Sequence, residues 1–123
     1  MNRNENQRVK ITKKMFQDGL ITLLKKKSVC EITITELCSV SGLNRSTFYN
    51  YYNNIRDILT EIGEEICRQN EEFINSLDNI NISTDVLCKE LCYIKENIEK
   101  YQVLMNNNIY DNFFTYILKY TLN

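Results

Sequence analysis

The segment TITELCSVSGLNRSTFYNYY, residues 33–52, constrains the local structure of this chain more than any other stretch. Thr33 and Glu36 have the spacing of a capping box, which predicts that a helix begins after Thr33. Gly42 is the natural residue for a left-handed helix terminus, so this helix must be short. Asn44 then predicts the cap of a further helix. The segment therefore predicts two short helices joined by a tight glycine turn.

Periodicity predicts a longer helix before this segment, from about Gln7 to Lys27. Its last turn, KKK, suits the negative end of a helix dipole. The second helix is expected to end near Val40, and the third near Tyr51 or Tyr52. A long helix followed by two short ones around a glycine is the helix-turn-helix pattern. The apolar stripe of the first helix consists of Ile11, Met15, Phe16, Leu20, Leu23 and Leu24.

The third helix is predicted to have an apolar face and a polar face. Leu43, Phe48 and Tyr52 share one side and are expected to pack on the first two helices. Residues 37–56 contain no Asp or Glu, so the other side carries no carboxylate that would repel DNA. Hydroxyl, amide and guanidinium groups there can donate to phosphates or read base edges, although a plain solvated surface is the alternative. The polar side carries Arg45, Ser46, Thr47, Tyr49, Asn50 and Tyr51.

The formal net charge of −1 hides a division of charge along the chain. Up to Arg56 there are ten basic and four acidic residues, a difference of +6. From Asp57 onward there are five basic and twelve acidic residues, a difference of −7. A basic half joined to an acidic half indicates a polyanionic partner for the first half only. Chance clustering on solvated helix faces is the other interpretation.

The stretch ITITELCSVSGLNRSTFYNYYNNIRDIL resembles the DNA-binding domain of the TetR/AcrR family of bacterial transcriptional regulators. The likeness runs from about Val9 to Ile62. It implies that the Asn44–Tyr51 helix is the recognition helix and that Tyr49 and Tyr51 contact DNA phosphates. It also implies a cytoplasmic repressor that binds palindromic double-stranded DNA as a homodimer and is released by a small-molecule effector. The residues that carry the likeness are the Thr33 cap, Leu37, the Gly42 turn, Leu43, Phe48, Tyr49, Tyr51 and Tyr52.

The start of the fourth helix departs from the family pattern. The family commonly has a lysine there that contacts a phosphate, whereas this chain has Ile55. Arg56 is adjacent but points about a quarter-turn away on a helix. The helix N-terminus near Asn53 and Asn54 can attract a phosphate through its free amides. The residues expected to bind DNA are Thr33, Thr35, Asn44, Arg45, Ser46, Thr47, Tyr49, Asn50, Tyr51, Asn54 and Arg56.

The remaining chain also reads as helical, so the predicted fold class is all-α. We expect a helix-turn-helix DNA-binding domain at 1–53 and a helical ligand-binding and dimerisation region at 54–123. Within the latter, DNINIST is the expected linker, and NNN separates a fifth helix, kinked near its end, from a last one. The apolar stripes are Ile55, Ile58, Leu59, Ile62, Ile66, Phe73 and Leu77; then Val86, Leu87, Leu91, Ile94, Ile98 and Leu104; then Ile109, Phe113, Ile117 and Tyr120 or Thr121.

The C-terminal region is shorter than in the family that the chain resembles. Family members usually run longer, and their final two helices build a four-helix interface with those of a partner. We therefore expect this region to be incomplete, or to bury its last helix against a second copy, because exposed apolar surface drives association. Either case leaves the small-molecule pocket incomplete or shared. The departure at Ile55 and the acidic second half keep open an alternative function, a protein-binding adaptor that does not bind operator DNA.

The side-chain inventory argues against an enzyme or a metal protein. The chain has no histidine, which removes the commonest general acid or base and the usual partner of a nucleophilic Ser or Cys. Its five cysteines form no CxxC pair. Cys88 and Cys92 resemble half a metal site, but we expect the cysteines to be buried small hydrophobes, and we expect neither a cofactor nor a metal.

The first ten residues are too polar for a signal peptide, and no apolar run could span a bilayer. The expected location is therefore cytoplasmic, without contact to a membrane.

Overall fold

The computed structural model describes residues 3–71, 75 and 83–107. Throughout these residues the regular structure is helical and contains no strand, which confirms the all-α class. Among them, none of the helices combines the length and apolar character needed to cross a membrane. The helices of the described part are α1 (Arg3–Leu24), α2 (Ile34–Ser41), α3 (Arg45–Tyr51), α4 (Ile55–Gln69), α5 (Thr84–Glu96) and α6 (Ile98–Asn106), with a 3-10 turn at Val29–Glu31.

The chain packs as two compact units, Met1–Leu59 and Thr60–Asn123, here termed the N-terminal and C-terminal units. The boundary between them falls inside α4. The division of function between 1–53 and 54–123 stays a prediction.

The core of the N-terminal unit is an aromatic cluster between α1 and α3. Phe16 and Phe48 are both fully buried, and their ring centroids lie 5.6 Å apart in an edge-to-face arrangement. The Tyr52 ring is 6.0 Å from that of Phe16, also edge to face. Pairs of this geometry contribute about 0.5–1.5 kcal/mol beyond their buried area. Leu20 and Leu37 are fully buried in the same unit, so the predicted inner faces of α2 and α3 are confirmed.

Helices α1 and α2 approach closely at Gly19. A Cβ atom at this position would overlap Ser41 Oγ and lie 3.5 Å from a methyl group of Leu37. Ser41 Oγ is itself buried without a hydrogen-bond partner. Glycine at this position lets the two helices meet without displacing the Ser41 side chain.

The predicted bounds of α1 were wrong at both ends. The helix begins at Arg3 and ends at Leu24, so the three lysines follow it instead of forming its last turn. The amides of Lys26 and Lys27 both donate to the Leu23 carbonyl, at 3.0 and 3.1 Å, which closes the helix with a tight turn. Lys27 then reaches Glu36 of α2, with Nζ 2.6 Å from Oε2. This lysine makes a tertiary ion pair, which periodicity does not detect.

The predicted apolar stripe of α1 is only partly buried. Ile11 is 61% exposed and Met15 37% exposed, while the buried face also includes Gln17 and Ile21. Helices α2 and α3 have eight and seven residues, so each spans only about 10–12 Å, about a third of the length of α1. They cover its second half and leave Ile11 and Met15 of the stripe in contact with solvent.

The C-terminal unit is built from the second part of α4 together with α5 and α6. Its buried apolar residues include Ile62, Ile66, Val103 and Leu104. Ser83 caps α5, because its side chain accepts a hydrogen bond from the Val86 amide at 3.2 Å. Phe73, Leu77, most of the expected linker and the expected last helix, with its stripe from Ile109 onward, lie outside the described residues.

The predicted single fifth helix is two helices. Asn97 ends α5 with φ −116° and ψ 25°, and its amide donates to the Tyr93 and Ile94 carbonyls. Its side-chain Nδ2 also donates to the Tyr93 carbonyl, at 2.9 Å. An asparagine side chain that competes for the helical carbonyl in this way favours termination over a kink. Leu87, Leu91 and Ile98 of the expected stripe are exposed.

Candidate nucleic-acid interface

Two capped helices and a glycine turn fix the position of α3. Gly42 adopts the left-handed conformation, with φ 73° and ψ 26°, and its amide donates to the Cys38 carbonyl. The Asn44 side chain accepts hydrogen bonds from the Thr47 amide at 2.8 Å and from Thr47 Oγ1 at 2.9 Å. Thr33 Oγ1 accepts from the Glu36 amide at 3.1 Å. The structure thus confirms the predicted roles of Thr33 and Asn44 as helix caps and of Gly42 as the turn residue.

The capping box at the start of α2 is only half formed. Glu36 would complete it by accepting the Thr33 amide, but its Oε2 is engaged with Lys27. Its other oxygen, Oε1, is buried without a hydrogen-bond partner. The expected reciprocal bond gives way to the tertiary ion pair, which also neutralises the last carboxylate before α3.

Helix α3 separates its side chains as predicted. Phe48 is fully buried, Tyr52 is 5% exposed, and Leu43 is half-buried. On the other side, Tyr49 is 51% exposed and Thr47 and Tyr51 are half-buried. Arg45, Ser46 and Asn50 are also exposed on this side.

Arg45 links α2 to α3 on this exposed side. Its Nη1 donates to Thr35 Oγ1 at 3.0 Å, and its Nη2 donates to the Tyr49 hydroxyl at 3.5 Å. The guanidinium carbon lies 6.0 Å from the centroid of the Tyr49 ring, a cation–π distance. The structure thus gathers Thr35, Arg45 and Tyr49 into one cluster, here termed the Arg45 cluster.

Lys13 of α1 reaches the other end of α3, and sequence reasoning missed it. Its Nζ lies 6.0 Å from the centroid of the Tyr51 ring and 5.9 Å from that of Tyr52. This places a cation beside a tyrosine that the resemblance assigns to phosphate contact. The only signal in the sequence was the basic composition of the first half, because the two residues are 38 positions apart.

The amides expected to be free at the start of α4 are not free, so this prediction was wrong. Asp57 Oδ2 accepts from the Asn53 amide at 2.8 Å and from the Asn54 amide at 3.3 Å. In return, the Asp57 amide donates to Asn54 Oδ1 at 3.0 Å. This reciprocal cap places a carboxylate where a phosphate was expected and uses the Asn54 side chain. Arg56 is exposed beside it, and Ile55 is buried.

A second polar cluster lies in the C-terminal unit and joins three helical segments. Asn70, Glu90 and Tyr101 meet there, and the first two are 2% and 8% exposed. The Asn70 amide is oriented with its nitrogen towards Glu90 and its oxygen towards Tyr101. Asn70 Nδ2 then donates to Glu90 Oε1 at 2.8 Å, and Asn70 Oδ1 accepts from the Tyr101 hydroxyl at 3.0 Å. Burial raises the pKa of the Glu90 carboxyl. Burial also raises the pKa of Tyr101, to about 12.

The cysteines do not all behave as the expected buried hydrophobes. Cys38 is buried, and burial raises the pKa of its thiol against the opposing effect of Arg45. Cys67 is half-buried, whereas Cys30, Cys88 and Cys92 are exposed. The prediction was wrong for these three, which lie in the 3-10 turn (Cys30) and on α5 (Cys88 and Cys92). In the described part of the chain, no three His, Cys, Asp or Glu side chains are grouped as metal ligands.

Comparison with known proteins gives a likeness to one class of protein. A Bacillus subtilis (strain 168) protein named "Uncharacterized HTH-type transcriptional regulator YxbF" is 21% identical over 104 residues. The match covers 80% of this chain and 27% of that protein, so the chain spans about a quarter of its relative's length. No family model matches the chain. No solved structure matches it either. The chain is therefore similar to an HTH-type transcriptional regulator.

Proposed function

We propose that this chain is a DNA-binding transcriptional regulator of the TetR/AcrR type, with α3 as its recognition helix. The observation that carries the proposal is the Arg45 cluster on an exposed helix face without carboxylates. The helix-turn-helix caps and the relative's printed name support the same class. The protein is proposed to act in the cytoplasm and to carry out no enzymatic reaction.

In this proposal α3 enters the major groove with its polar side facing the bases. An arginine fork donates to guanine O6 and N7, and Arg45 stands at the first turn of the helix, where recognition helices contact base edges. Ser46, Thr47 and Asn50 follow on the same side and read neighbouring positions. The hydroxyls of Tyr49 and Tyr51 donate to phosphates, and Lys13 adds charge beside Tyr51. Thr35 acts as a positioning residue, because it holds the guanidinium at 3.0 Å.

The proposed regulator binds as a homodimer to a palindromic operator and represses until a small-molecule effector releases it. One recognition helix reads only one half-site. A dimer holds two helices at the spacing of the half-sites, about one or more helical turns apart. The resemblance to the TetR/AcrR family supports dimerisation and effector release.

A salt series on promoter DNA tests this function. The probe is a labelled duplex from the promoter beside the protein's own gene, followed by fluorescence anisotropy between about 50 and 300 mM salt. Each neutralised phosphate is expected to contribute about −0.9 to the slope of log K against log salt concentration. Two recognition helices should therefore give a slope of several units. A flat response, or no binding at the lowest salt concentration, would contradict the proposal.

One observation favours a second candidate, an adaptor that binds protein and not operator DNA. The Asp57 carboxylate occupies the two amides at the start of α4, where the resemblance predicts a phosphate. Two results together would establish this alternative: the chain does not bind DNA, and it binds a partner protein with an affinity that changes little with salt concentration.

A further inference from the structure

Two exposed thiols lie side by side on α5. Cys88 and Cys92 are both exposed and are four residues apart within the uninterrupted helix Thr84–Glu96. Residues at this spacing share one helix face, with their Cβ atoms about 5–6 Å apart. The two sulfur atoms can therefore approach a common ligand through rotation of their side chains, without any change in the backbone.

Packing does not explain this pair. Cysteine is among the residue types most often buried, as Cys38 is in this chain. Leu87 and Leu91, each directly before one of the two cysteines, are 43% and 58% exposed. The thiols thus lie beside exposed apolar surface and outside the core of the C-terminal unit.

The number of donors selects the class of ligand. Thiolates favour soft ions such as Cu(I), zinc and iron–sulfur clusters. A structural zinc ion requires four protein ligands, and iron–sulfur clusters are commonly held by four cysteines. Within the ranges that the structure describes, no third His, Cys, Asp or Glu is grouped with the pair. Two thiolates alone suit a soft ion of low coordination number.

We propose that Cys88 and Cys92 form a two-thiolate site for a soft monovalent cation, Cu(I). On binding, two S–H bonds lose their protons, two S–Cu bonds form, and no atom changes oxidation state. The resulting site carries one negative charge, and the exposed Lys95, three residues after Cys92, lies on the same side of the helix to offset it. The proposal goes beyond DNA binding and does not depend on it.

The test is a competition for Cu(I) between the whole protein and the chelator bathocuproine disulfonate, without oxygen. The wild type is expected to take up one Cu(I) per chain and to release two protons. Cys88→Ser and Cys92→Ser should each weaken binding by at least about 100-fold, because one of two ligands is lost. Cys30→Ser is the matched control, since Cys30 is also exposed but lies in the N-terminal unit, and it should bind as the wild type does.

Three results would overturn the site. Unchanged affinity in Cys88→Ser/Cys92→Ser would place the ion elsewhere. A ratio of one Cu(I) to two chains would show a site shared between copies. Zinc binding that competes with Cu(I) and depends on further residues would show a larger ligand set. Serine at these exposed positions preserves the fold, which circular dichroism checks in each variant.

Discussion

At the scale of single residues, Arg45 and Tyr49 connect the fold to the proposed function. Arg45 is fixed from two directions, by Thr35 of α2 and by Tyr49 one turn along α3. A pre-positioned guanidinium loses less conformational entropy when it binds a base. Both side chains are exposed, so either can be changed without opening the core.

Two substitutions of Tyr49 should distinguish the contribution of its hydroxyl to DNA affinity from that of its ring. Tyr49→Ala should weaken operator binding by about tenfold or more, because the phosphate hydrogen bond and the ring beneath Arg45 are both lost. Tyr49→Phe keeps the ring and should lose only part of this. Anisotropy titrations on the promoter duplex measure the difference, and Met105→Ala, which truncates another exposed side chain, is the control. A folded Tyr49→Ala protein with wild-type affinity would remove Tyr49 from the interface.

At the scale of helices, close contacts and buried polar groups decide how the elements meet. Gly19 permits the approach of α1 and α2, although the facing Ser41 hydroxyl has no partner. In the C-terminal unit, hydrogen bonds join Asn70, which directly follows α4, to Glu90 of α5 and Tyr101 of α6. Buried polar groups of this kind stabilise only while each member remains satisfied.

The contact between α1 and α2 can be tested with a double-mutant cycle. Gly19→Ala should lower the free energy of unfolding by about 1–3 kcal/mol, because the new methyl group overlaps Ser41 Oγ. Ser41→Ala should be neutral or slightly stabilising, since it removes a buried hydroxyl without a partner. The double variant should recover part of the loss. Urea denaturation measures all three, and additive effects would contradict the proposed overlap.

The buried Glu90 carboxyl should make stability depend on pH. Its pKa is raised in the folded state, so the native protein holds this proton more tightly than the unfolded chain does. The contribution of Glu90 is therefore fully present below the unfolded pKa of about 4.3 and is lost as pH rises through the folded pKa. Glu90→Gln has no carboxyl group to ionise at this position, so it should not show this decrease in stability as pH rises. Thermal melts from pH 4 to pH 8 compare the two proteins, and parallel pH profiles would show that Glu90 does not titrate differently on folding.

At the scale of the whole molecule, the proposed function requires two copies. The N-terminal unit presents one recognition helix, and a palindromic operator has two half-sites. The sequence places the expected dimer surface in the apolar residues around Ile117, which lie outside the described residues. Dimerisation therefore stays a prediction from the sequence.

Light scattering at micromolar concentration tests this prediction. The expected mass is twice the 14.6 kDa of the chain. Ile117→Asp should dissociate the dimer, because a charge in an apolar interface is costly to desolvate, and should weaken operator binding as well. A compact monomer that still binds a palindromic duplex tightly would contradict the proposed dimer.

The sequence by itself determined what depends on neighbours a few residues apart. The caps at Thr33 and Asn44 and the left-handed Gly42 follow from side chains bonding to nearby amides and from the steric freedom of glycine. The separation of Phe48 from Arg45 follows from the helical repeat. The reciprocal cap between Asn54 and Asp57 is equally local, so the sequence contained it although it was not recognised there.

Only the tertiary structure decided contacts between distant residues. Lys27 pairs with Glu36, nine residues on, and Lys13 of α1 lies beside the ring of Tyr51 on α3. Hydrogen bonding of Asn70 to Tyr101 bridges 31 residues. Periodicity reports which face a residue occupies, but not whether another helix covers that face. Burial and long-range pairing depend on the lengths and positions of the partner helices, and these exist only once the chain has folded.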